Sequence, residues 1–200
     1  LNKFNSNKIA RIISTLFVPP SFTLLIFIFF AFHFEIEALK IIETIVVSTS
    51  FGFILPILLF IILRKKNKIV DLDASIKEER TVPFLIASIF YAIGLILMII
   101  MQLNIVTIAL WFCYITNTLL TVVINRYWKI SAHSMGASGA LAALFFAIGN
   151  DTFLFLPLVL ILGWSRIKLK CHSFSQVAAG IILAFTSTFL QMYLIINYFS

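Results

Sequence analysis

Arg166, His172 and Gln176 stand close together in the stretch WSRIKLKCHSFSQ, residues 164–176. An apolar run ends at Trp164 and another begins near Phe174, so this is a basic interruption between two oily segments. A helix that starts near Ser173 places His172 at its cap, where free backbone N–H groups and the helix dipole favour anions. Arg166 offers a planar fork of donors that matches phosphate oxygens. A neutral imidazole beside such a cradle is a nucleophile toward phosphorus. Gln176 follows His172 by one helical turn and is placed to hold one ring nitrogen. Lys168 and Lys170 read more simply as contacts to anionic lipid headgroups, and Cys171 as a small bystander.

Two other polar stretches carry groups that complement this one. NRYWKISAHSMGASG, residues 125–139, contains Ser131 and His133 ahead of a run of small residues that lets helices approach closely. His133 is placed to protonate a leaving oxygen as a general acid, and Ser131 to bind phosphate oxygens. RKKNKIVDLDASIKEERTVPF, residues 64–84, contributes Lys77 and Arg80, either of which suits a phosphate, just before Pro83. Asp71, Asp73, Glu78 and Glu79 in that stretch read as solvated charge. His33 falls on the opposite face and receives no role.

The elements that must hold these groups are transmembrane helices. The chain has 200 residues, 62% of them hydrophobic and 12% charged, against about 25% charged in soluble domains. Spans are expected at about 10–34, 41–63, 84–101, 104–124, 134–149, 152–164 and 173–198; the fifth and sixth are short against the ~30 Å of hydrocarbon. The expected fold is an all-α polytopic bundle of six or seven spans in one domain, residues 1–200. Pro19, Pro20 and Pro56 should kink their spans. No cleavable leader is evident, and two cysteines make no disulfide framework. Even numbers of crossings separate the three polar stretches, so all three are expected on one face. Of the fifteen Lys and Arg residues, all but Lys40 lie on that face or in the N-terminal tail. The positive-inside rule makes it cytoplasmic, in a multi-pass protein expected in a prokaryotic cytoplasmic membrane.

The three stretches together resemble the signatures of the type 2 phosphatidic acid phosphatase (PAP2) superfamily. SRIKLKCHSFSQ is similar to the third signature, S-R-x5-H-x3-D: Ser165, Arg166 and His172 match, while Gln176 occupies the Asp position. ISAHS resembles the second, P-S-G-H, through Ser131 and His133, with Ile130 and Ala132 in place of Pro and Gly. KEERTVP is a weak echo of the first, K-x6-R-P: Arg80 aligns, Asp73 stands where the Lys should be, the proline is delayed to Pro83, and Lys77 is the candidate substitute. The resemblance covers about residues 64–185.

It implies a PAP2-like helical bundle that hydrolyses phosphate or diphosphate monoesters of lipids or polyprenols, with no metal and no cofactor. His172 would form a phosphohistidine and His133 would act as the acid. Arg166, Arg80, Lys77, Ser131 and Ser165 would hold the phosphate. The expected partners are a lipid or isoprenoid phosphate and membrane lipids, with no nucleic acid. Gln176 is the departure that matters most. Loss of the charged orienting carboxylate costs about 10⁴ in rate in serine proteases, so a slower enzyme is expected, or one in which Asp71 or Asp73 approaches instead. Two other readings compete. A phospholipid-binding or carrier protein would keep the pocket without turnover. A membrane prenyltransferase would hold Mg²⁺ on the carboxylates of NKIVDLD, residues 67–73, although a second aspartate-rich loop is missing.

Overall fold

Apolar residues on every side of a helix leave it no stable place in water, and most helices of this chain are of that kind. The computed structural model describes residues 3–71, 73–74 and 76–199, which are predominantly helical, with no strand among them. In chain order the helices are α1 (Lys3–Leu16), α2 (Pro19–Phe34), α3 (Ala38–Val47), α4 (Leu55–Lys65), α5 (Thr81–Ile100), α6 (Ile105–Tyr127), α7 (Ala132–Ile148), α8 (Leu156–Lys168) and α9 (Phe174–Phe199). A π-helical stretch, Ser48–Ile54, joins α3 to α4 without a break.

Five helical stretches are long and apolar enough to cross a membrane, or six if the bent pair α1–α2 counts as one. Two features depart from the expected spans. The first span does not run smoothly from residue 10: it breaks by 55° between Leu16 and Pro19. Pro19 and Pro20 open α2 at positions where a missing N–H costs nothing, and α1 turns aside as a polar-rich amphipathic helix. The second departure concerns 134–149 and 152–164, counted as separate spans from the sequence. They form α7 and α8 within Ala132–Lys168, one of the five stretches by length, but α7 packs on α8, so this stretch is a hairpin and not a single crossing. Gly149, at φ +57°, ends α7 in a backbone region that side chains disfavour. Thr152 then donates to the Leu141 carbonyl at 3.0 Å, pinning the 3₁₀ link Gly149–Phe155 against α7. At 1.5 Å per residue α7 and α8 reach about 25 and 20 Å, and both ends of the hairpin return to the same face.

The core is packed around Trp111 of α6, which is fully buried and donates to the Tyr91 carbonyl at 2.7 Å. A Cβ on Gly52 or Gly94 would come within 3.1 and 2.5 Å of this indole, so both helices press on it where only glycine fits. Phe27 meets the ring edge-on at 5.0 Å. Deeper in the membrane, α6 and α9 are joined by Asn117 to Thr188 at 2.9 Å and Ser187 to Asn117 at 2.7 Å, interhelical hydrogen bonds of the kind that hold bundles in lipid. Tyr127, Trp128 and Trp164 stand exposed at the end that carries the three polar stretches, as interfacial aromatics do.

Candidate functional site

Two helix-terminus motifs set the spacing of Arg166 and His172. At the end of α8, Lys170 adopts the left-handed conformation, φ 56°. Its N–H reaches the Ile167 carbonyl at 2.9 Å, and the Cys171 N–H reaches the Arg166 carbonyl at 3.0 Å. This is a Schellman closure made with Lys in the place usually given to Gly. At the start of α9, Ser173 Oγ accepts the Gln176 N–H at 3.3 Å while Gln176 Oε1 accepts the Ser173 N–H at 3.1 Å, a reciprocal capping box. The His172 N–H also reaches the Arg166 carbonyl, at 3.3 Å. The five residues between Arg166 and His172 are therefore a rigid corner.

That corner presents an oriented imidazole. Gln176 Oε1 lies 3.1 Å from His172 Nδ1. An amide oxygen can only accept, so Nδ1 carries the hydrogen and Nε2 keeps its lone pair. The ring is 6% exposed. Burial, and then the positive charges of Arg80, Lys129 and Arg166, push its pKa down to about 3. His172 is thus held neutral by its buried, cationic surroundings, with the lone pair on Nε2.

Arg166 is completely buried. One of its nitrogens, Nη1, donates to Asp73 at 2.6 Å and also to Ser14 Oγ of α1. Nε and Nη2 have no partner among the described residues. Leaving such donors unpaired in a dry interior costs about 1–3 kcal/mol each, so a guanidinium edge held open in this way marks a place for an acceptor. Asp73 itself is kept ionised. Burial would raise its pKa, but hydrogen bonds from Arg11 and Arg166 outweigh that and hold it at about 2.

His133 stands on the first turn of α7, hydrogen-bonded to the Ser14 backbone and within electrostatic reach of Arg166, Asp73 and His172. α7 is brought there by close packing. Ser131 donates its N–H to the Gln176 carbonyl at 3.4 Å, and a Cβ on Gly180 would stand 3.0 Å from the Ser131 carbonyl. The sequence had placed His172, Gln176, Arg166 and His133 on one face, and they form one cluster.

The remaining candidates sit differently. Arg80, 4% exposed, directs Nε, Nη1 and Nη2 to the carbonyls of Ala74, Ile130 and Asp73 at 2.7, 3.1 and 3.2 Å. It staples the 73–74 loop to the start of α7, and its charge reaches His172 from there. Lys77 points to the end of α6, donating to the Arg126 carbonyl at 3.0 Å and lying 3.7 Å from Glu78. The Ser131 hydroxyl caps α7 through Ser134, and the Ser165 hydroxyl donates to the Leu162 carbonyl at 2.7 Å. Asp73 approaches Arg166 and Arg11, while Gln176 keeps the place beside His172.

Sequence reasoning missed Ser14 and Arg11, since no local pattern ties an N-terminal helix to a loop sixty residues on. It also gave Lys129 no role, although Lys129 donates to the Cys171 carbonyl at 2.8 Å and faces His172. The capping box was readable as S-x-x-Q ahead of an apolar run. No family model matches this chain, and no curated protein or solved structure matches it.

Proposed function

We propose that this protein is a PAP2-like membrane phosphatase that hydrolyses a phosphate or diphosphate monoester of a lipid or polyprenol, its site on the cytoplasmic face. One observation carries the reading. The buried Arg166 has no partner for Nε and Nη2 among the described residues, beside a neutral imidazole whose Nδ1 is already engaged by Gln176.

In this reading a headgroup phosphate accepts the Nε–H and Nη2–H of Arg166, a bidentate pairing suited to two phosphate oxygens. Arg80 and Lys129 add charge without direct contact. His172 Nε2 attacks phosphorus, the P–O bond to the leaving group (ester or, in a diphosphate, anhydride) breaks, and His133 relays the acidic proton of the monoprotonated headgroup to the departing oxygen. Gln176 Oε1 keeps its hydrogen bond to Nδ1–H while the ring becomes cationic. Water then attacks the phosphohistidine, His133 takes its proton, the P–N bond breaks, and inorganic phosphate leaves with His172 regenerated. Catalysis here rests on positioning and on fixed positive charge, as phosphoryl transfer requires. The tail stays in lipid throughout, because the cup lies at the membrane boundary.

A non-catalytic phospholipid binder is the second reading. Gln176 gives the imidazolium no counter-charge, and three Arg80 nitrogens are already engaged by carbonyls. Purified protein incubated with lipid mono- and diphosphates in the presence of chelator separates the two. The phosphatase reading expects phosphate release that His172→Ala abolishes. Binding without release supports the binder, and full release by His172→Ala removes the nucleophile.

A further inference from the structure

Arg166 is fully buried and His172 nearly so, so no headgroup reaches the cup until a cover moves. Three elements form that cover. The 73–74 loop and the 129–131 turn are tied down by backbone carbonyls, through Arg80, Lys129 and the Ser131 N–H. The third cover, α1, is held by other means. Arg11 reaches Asp73 at 2.7 Å, Ser14 receives Arg166, and the Ser14 backbone meets His133. A 55° break lies directly behind it, before Pro19.

The two faces of α1 differ sharply. Ala10 and Ser14 are buried against the site. Ile9, Ile12 and Leu16 are exposed on one stripe at helical spacing, with Lys8 exposed beside them and Arg11 half-exposed. An apolar stripe flanked by basic side chains is the pattern of a helix that lies in an anionic membrane interface. Its charge is of the right sign for that surface, and the rest of the chain already spans the bilayer.

We propose that α1 is an amphipathic lid over the cup, latched by the Arg11–Asp73 pair, and that an anionic lipid surface draws it open by taking Arg11 and the Ile9–Ile12–Leu16 stripe. In the latched state Asp73 is the anion of the cup: one carboxylate oxygen holds Arg166 and the other holds Arg11. Headgroups reach Arg11 from the solvent side and compete for it. Once the latch is lost, α1 is held by the Ser14 contacts, by buried Ala10 and by the packing of Ile13 against the core, with no charged pair left between Arg11 and the 73–74 loop. The inference rests on the reading of the cup as an anion site.

The test uses the full chain in vesicles and reads carbethoxylation of each histidine by diethyl pyrocarbonate with mass spectrometry. His33, exposed at the other end of the bundle, is the internal control. His172, which is almost fully buried, is expected to react slowly in phosphatidylcholine and about fivefold faster in equimolar phosphatidylcholine–phosphatidylglycerol. That factor corresponds to the ~1 kcal/mol that a basic side chain gains near an anionic surface. Raised salt should restore the slow rate. Arg11→Gln should react fast in both vesicles and Arg11→Lys should follow the wild type. Equal rates in the two vesicles, or an Arg11→Gln protein that still closes in phosphatidylcholine, would overturn the lid. Labelling is read whether or not the cup turns over. A responsive His172 without phosphate release leaves the lid and rejects the phosphatase, while release with an unresponsive His172 does the reverse.

Discussion

At the end of the bundle that carries Glu35, Lys40, Glu43 and Asn104, polar side chains close on one another and on helix ends. Glu35 accepts the Asn104 N–H at 2.8 Å, Asn104 caps α6 through the Val106 N–H at 2.9 Å, and Lys40 joins Glu43 at 3.2 Å and the Met101 carbonyl. At the end that carries Arg166 and His172 the groups are more deeply buried, yet Arg166 keeps two donors without a partner among the described residues, and the His172 ring is turned by Gln176 so that Nε2 carries the lone pair. Both ends must satisfy helix termini at a membrane boundary, so termini alone do not explain the difference. The first arrangement uses most of its polar groups on its own helix ends, although Thr107 Oγ1 there also lacks a partner among the described residues and Glu43 Oε2 has only its ion pair. The second withholds hydrogen bonds that folding would have used, which is what a ligand site requires.

Substitutions at the two ends should therefore behave differently, and the comparison breaks if they do not. The largest effect is expected from Arg166→Lys. Lysine keeps the charge and loses the fork, so kcat/KM for phosphate release should fall about 100-fold. A change of less than twofold would mean that the open guanidinium edge is not used. Next comes Gln176→Leu, which removes the acceptor from His172 Nδ1 and half of the capping box. Phosphate release should drop about tenfold. Gln176→Glu keeps the reach, adds a negative charge for the imidazolium at a helix N-terminus, and should raise the rate above wild type. The smallest effect belongs to the opposite end. Glu35→Gln should leave release unchanged and lower stability by about 1 kcal/mol, read from unfolding in detergent. A matching loss of activity there would erase the distinction between the ends.

What the sequence disclosed follows from the range of the forces involved. Arg166, His172 and Gln176 lie within one helix end and one helix start, where spacing along the chain is spacing in space, and their relation was readable. His133 joined them because an even number of crossings returns the chain to one face. The hairpin of α7 and α8 was legible only as two short spans. Its fold-back depends on Gly149 and on Thr152 bonding to Leu141, neither of which makes a periodic pattern. Arg80 was readable as a cation near phosphate but not as a staple, since its acceptors are backbone carbonyls chosen by tertiary packing. Asp73 was read as solvated charge, with Asp71 or Asp73 as the alternative carboxylate for the imidazole; it pairs with Arg166 and Arg11, and the capping box puts Gln176 beside His172. Arg11 and Ser14 could not be found at all. Their partners lie 62 and 152 residues away, and only the break before Pro19 brings α1 across the cup.

The central claim is that His172 Nε2 becomes covalently bonded to phosphorus. The direct measurement is to mix the protein with a ³²P-labelled lipid phosphate, quench in alkali, and map the label by mass spectrometry. The account predicts acid-labile, base-stable phosphate on the peptide that contains His172, lost in His172→Ala and accumulating in His133→Ala. Turnover with no labelled peptide, or label on any other residue, would contradict it.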